Sequence, residues 1–250
     1  MNGKVEIHGN FTDFRQVGAL RGDDDRNFYI TILRKYNVLS ESMSQLLGIT
    51  GVLSDRGFHL GVGETYLAKS IFGLFMIYQN SVFQAFVLAA ELHIAESWAV
   101  LRIGIECLAV VNKIVKSGDP EQTARLWVER DSEDLYRASF FIKESDFKGS
   151  IASFLDLYKE ACGRGSHPTY QSIKDKWVWE ASGGTSRMTM YMFDIGVAQD
   201  EHEHEGVIKN IVDFTKKAAI YFVDIFGENK FCVDSKIPQQ VISEINAVIV

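Results

Sequence analysis

The sequence predicts an all-α protein, a helical bundle of about six or seven helices with one inserted β-hairpin near residues 174–194. Three observations lead there. Long stretches place apolar residues at i, i+3 and i+4 spacing, the mark of helices that turn one face to a core. Only three prolines occur in 250 residues, so few points force such stretches to break. One segment alone, from about residue 176 to 193, changes to a period of two, as strands do.

Residues 1–22 show no sustained period and read as an irregular N-terminal arm, with a short strand at Lys4–His8. From residue 23 to 250 no Pro/Gly/Ser-rich linker divides the chain, which predicts a single helical domain. Asp23, Asp24 and Asp25 precede an apolar stripe at Phe28, Ile32, Tyr36, Leu39, Met43 and Leu46. Acids at the start complement the helix dipole, and Gly48 and Gly51 are expected to close this helix. After a glycine-bearing loop, a helix apolar on most faces is expected over 64–93, and a second over 94–116 after a break near His93.

Asp119-Pro120-Glu121-Gln122 is a helix start: Asp as N-cap, Pro at the first helical position, Gln placed to close a capping box. That helix is expected to reach about Ile142, and another to cover Ser150 to Cys162. Gly163, Gly165 and Pro168 then read as its ending, since glycine suits the left-handed C-terminal position and proline often follows. Trp177 and Trp179 share a strand face, as do Met188, Met190 and Met192, and this Trp/Met face is expected to seal the hairpin onto the helices, with a ligand-facing or dimer-facing surface as the alternative. A long helix over 200–226 carries apolar pairs at 207/208, 211/212, 218/219 and 225/226. Pro238 opens a short last one.

Charge and cysteine usage narrow the function classes. A net charge of −7 supplies no global field for polyanions. Three widely spaced cysteines, Cys107, Cys162 and Cys232, match neither a disulfide frame nor a zinc site and suit reduced thiols in a cytoplasmic protein. The N-terminus lacks the apolar core of a signal peptide. The most apolar stretch, Ile71–Leu92, holds Gln79, Asn80, Gln84 and Glu91, so a buried helix is expected there and no membrane partner.

Three constellations could carry chemistry. Glu201-His202-Glu203-His204-Glu205 invites a metal reading, but histidines two apart on a helix point roughly 200° apart at ~100° per residue. With Val207, Ile208 and Ile211 behind it, the run is a helix start, and no metal or other cofactor is expected. Arg102 and Glu106 lie i, i+4 on an apolar helix, with Trp98 one turn earlier. Partly buried charges need further partners, so the pair is either a structural knot or a site. Arg164-Gly165-Ser166-His167 supplies the third: a histidine beside Glu106 and an arginine would form an acid–base and phosphate-binding arrangement.

The run from Trp98 through Arg102 to Glu106, then Asp119-Pro120, then Ser166-His167-Pro168, then a hairpin and a long helix, resembles a widespread bacterial family of helical domains of unknown function. The likeness covers about residues 64–226. That family is similar to HEPN-type bundles, many of them dimeric, metal-independent ribonucleases or toxin components. The ribonuclease motif of those bundles spaces its Arg and His more widely than the two residues between Arg164 and His167. The resemblance implies His167, Arg102, Glu106 and Arg164 as candidate catalytic residues and Ser166 and Trp98 as candidate substrate-binding residues. Two functions are therefore expected to compete. One is a non-catalytic binding or oligomerisation module, a homodimer with a protein or RNA partner in a stress or defence system. The other is a HEPN-like ribonuclease using His167 and a phosphate-binding arginine.

Overall fold

The computed structural model describes residues 37–59, 65–90, 93–129, 140–165, 177–182, 185–190 and 201–250. Seven α-helices lie among them: α1 (Asn37–Gly51), α2 (Tyr66–Ala90), α3 (Ile94–Val115), α4 (Pro120–Glu129), α5 (Leu155–Gly165), α6 (Glu201–Glu228) and α7 (Ile237–Ala247). The all-α class holds. The expected arm at 1–22, the acidic start at Asp23–Asp25 and the continuation of α4 through 130–139 lie outside the described residues.

The break between α2 and α3 falls at His93, as the polarity of the sequence there suggests. The two helices pack closely along their length. Ser97 Oγ donates to Ala85 O at 2.8 Å, which satisfies a fully buried hydroxyl. Gly104 meets Ser81 and Val82 on α2 and Phe214 on α6. A Cβ there would stand 3.5–3.6 Å from all three, in ordinary van der Waals contact, so the site leaves room for little more than a methyl group. α6 lies across α2, and Tyr78 donates its hydroxyl to Thr215 O at 2.7 Å. The eight residues of the apolar pairs named above are all buried.

Between α2, α6 and the loop after α6 stands an aromatic cluster. Phe226 has Phe72 at 5.1 Å, Phe75 at 5.2 Å, Phe58 at 5.9 Å and Phe231 at 6.4 Å, ring centre to ring centre. Phe58 belongs to the loop after α1, which is pinned to the loop after α6: His59 N–H donates to Phe231 O and Val233 N–H to Gly57 O. Gly57 has φ +88°, and a Cβ there would lie 2.5 Å from Val233 Cγ2. Glycine is required on both counts. α1 and α7 close the outer side of α6.

α4 caps α2 from a distance in sequence. Asp119 Oδ1 accepts the Gln122 N–H at 3.1 Å, as its N-cap position predicts. Glu121 in the first turn of α4 reaches across to accept from Tyr66 N–H at 2.8 Å and Leu67 N–H at 3.0 Å. Two of the orphan donors at the start of α2 are thereby satisfied by a carboxylate, which also complements the dipole. Along α2 the side facing α3, α4 and α6 is buried. The helix is long and apolar enough to cross a membrane, and 44% of its most apolar window is buried.

One correction arises near residue 150. The segment before α5 is 3-10 rather than α: a turn at Glu144–Asp146 and another over Gly149–Phe154. Gly149, the first residue of the second turn, has φ +64°. At the other end α5 runs to Gly165, inside the Gly163–Pro168 stretch read as its ending, so Gly163 and Arg164 are helical. Arg164 Nε sits 3.3 Å from Glu160 Oε1, one turn back, and its guanidinium lies 5.7 Å from the Trp98 ring, contacts of the kind that support a last helical turn.

Between α5 and α6 the backbone of Trp177–Ser182 (β1) and Thr185–Met190 (β2) pairs antiparallel, with Trp177 opposite Met190. The expected Trp/Met sealing face rests on side chains outside the described residues.

Candidate functional site

α5 lies against α3, and the polar residues singled out in the sequence meet along that seam. Arg102 and Glu106 project from α3 because four residues bring side chains to one face. Arg102 Nε donates to Glu106 Oε1 at 2.7 Å, with 27% and 30% of the two side chains exposed. The pair is thus neither sealed away nor fully solvated. Tyr158 of α5 lies beneath the guanidinium, 6.0 Å from it to the ring centre. One turn along α3, Trp98 is fully buried beneath Arg164. Its indole Nε1 is buried and makes no hydrogen bond among the described residues.

The electrostatics of the seam are conservative. Burial works against the Arg102 charge, but the hydrogen bond and the negative charge of Glu106 outweigh it and hold the guanidinium above its usual range. Burial, a side-chain hydrogen bond to Cys162 and the nearby charge of Glu106 push the Tyr158 phenol up to about 12, with Arg102 opposing. Both displacements go away from neutrality, so Arg102 stays a cation and Tyr158 a neutral phenol at pH 7. Cys107, next to Glu106 in sequence, faces the core, and burial chiefly pushes its thiol up to about 12. It is an inert thiol there.

Of the six residues singled out, the structure brings four to this seam: Trp98, Arg102 and Glu106 from α3 and Arg164 from α5. Ser166 and His167 follow directly on α5 in sequence and lie outside the described residues. Each arginine has a carboxylate on its own helix, Glu106 for Arg102 and Glu160 for Arg164. Tyr158, Glu160 and Cys162 were missed. Their signal was present, since Tyr158/Cys162 and Glu160/Arg164 repeat the i, i+4 spacing of Arg102/Glu106. Nothing in sequence shows that two such ladders face each other.

The Glu201–Glu205 run opens α6, as its helix-start reading has it, with the side chains of 201–204 outside the described residues. No group of metal-ligating side chains gathers among the described residues. The fold and seam define a helical-bundle protein with a neutralised polar seam between two helices. No protein-family model, no curated protein and no solved structure matches the chain.

Proposed function

We propose that the protein is a non-catalytic binding module that self-associates through α2. The observation that carries this reading is the outer face of that helix. From Ser70 to Ala90 it holds no charged residue, yet Met76 is 60% exposed, Phe83 46% and Ile77 42%, with Asn80 and Gln84 between them. Uncharged, Phe- and Met-bearing surface of this kind marks interface cores rather than free surface. Two copies of a chain of net charge −7 repel one another over most of their surfaces. A charge-free face is where they can meet, and two-fold symmetry sets the same patch against itself. The β1–β2 hairpin is then an insertion on the bundle, and the protein belongs in a cytoplasmic setting.

The neutralised seam supports the same conclusion, because its arginines hold carboxylates and its phenol is far from titrating. The second reading, a ribonuclease of HEPN type, draws on the placement of Arg102 and Arg164 on packed helices just before Ser166-His167. One preparation tests both. In sedimentation velocity the wild-type chain is expected at twice the chain mass and Phe83→Glu at the single mass, with unchanged helical circular dichroism. A monomeric wild type would remove the self-association claim. In the second assay, RNA is incubated in EDTA with wild type or His167→Ala, and equal, background-level cleavage is expected. Cleavage by the wild type alone would transfer the assignment to the ribonuclease.

A further inference from the structure

At the foot of α3 an open cavity of about 410 Å³ separates Asn112, Lys113 and Lys116 from the 3-10 segment carrying Ser145, Lys148 and Ser150. Its size falls within the roughly 300–1,000 Å³ of small-molecule sites. It contains one carboxylate, and that one is occupied. Asp146 Oδ2 lies 3.0 Å from Lys113 Nζ and accepts the Lys143 N–H at 2.7 Å. Lys113 also donates to Phe141 O at 2.9 Å. Lys116 and Lys148 line the same space and form no ion pair among the described residues. The cavity is therefore cationic within a chain that is acidic overall.

Asn112 gives the second, independent sign. It is 9% exposed. Its backbone carbonyl accepts the Lys116 N–H, while its carboxamide makes no hydrogen bond among the described residues. That amide lines the cavity, where a ligand can complete its hydrogen bonds. Helix-dipole complementarity accounts for lysines in the last turn of α3. It does not account for Lys148, which arrives from a different segment, nor for Asn112.

We propose that this cavity binds a small phosphate-bearing anion, a phosphate monoester. Lys116 and Lys148 supply charge from two sides, the Asn112 amide donates from the floor, and the Ser145 and Ser150 hydroxyls stand at the rim. The net charge of −7 over the whole chain disfavours a polyanion and leaves a small ligand as the better fit. This site is separate from the α2 face and does not depend on it.

The test is calorimetric titration of the full chain with inorganic phosphate, glycerol 3-phosphate and a short oligoribonucleotide, at one ionic strength set with chloride. Saturable binding of the two small phosphates is expected. It should weaken about tenfold or more in Lys116→Gln/Lys148→Gln, as loss of two charge-assisted contacts requires. The control Lys209→Gln/Lys230→Gln removes the same charge elsewhere and should bind as the wild type does. The melting temperature of each variant without ligand should match the wild type, which separates lost binding from lost fold. Absence of saturable binding of the small phosphates, equal weakening in the control, or binding of the oligoribonucleotide alone overturns the proposal.

Discussion

Phe226→Ala is expected to cost about 3–5 kcal/mol of folding stability, the range for buried aromatic truncations. Phe226 is fully buried on α6, and its ring touches aromatic rings from α2, from the loop after α1 and from the loop after α6. Removing it opens a cavity among rings that cannot readily collapse together, because they are held by α2 and by two separate loops. It also forfeits two edge-on contacts, with Phe58 and Phe75, each worth about 0.5–1.5 kcal/mol beyond burial. Urea unfolding followed by circular dichroism checks this, with the midpoint falling and the slope constant. Phe226→Leu, which keeps most of the volume, should lose markedly less. If the alanine and leucine variants unfold at the wild-type midpoint, this cluster is not the centre of the core.

Glu106→Ala is expected to destabilise the chain by about 1–2 kcal/mol, less than the ~3–5 kcal/mol of a fully buried pair because water reaches both side chains. The alanine strands the Arg102 guanidinium between α3 and α5 without its carboxylate. Arg102→Met/Glu106→Leu should recover to within about 1 kcal/mol of the wild type, since no charge is then left unpaired. That recovery marks a structural knot. A Glu106→Ala variant as stable as the wild type would mean the pair contributes nothing to the fold, and the seam would return as a candidate reaction centre.

Much of this was legible in the residues. The 207/208 to 225/226 pairs gave the buried face of α6 because a period of 3.6 leaves no other face apolar enough to bury. Asp119-Pro120 marked the start of α4, and His93 marked the break between α2 and α3. Gly163, Gly165 and Pro168 form a local stop signal, and α5 ends at Gly165, with Arg164 of its last turn held by Glu160 and Trp98. The 3-10 turns at 144–146 and 149–154 carry no period of their own.

Neighbours three or four residues apart carry what can be read along the chain. That covers the all-α class, most helix limits and the pairing of Arg102 with Glu106. Only the tertiary structure decided what those ladders face. It set Tyr158 and Cys162 against Arg102, and Glu121 on the start of α2. It left the Met76–Phe83 face of α2 uncovered and brought Lys148 opposite Asn112 and Lys116. The physical reason is range. Helical spacing and capping act within a turn, whereas charge pairing, ring packing and shared cavities act between segments whose meeting the burial of the whole core dictates.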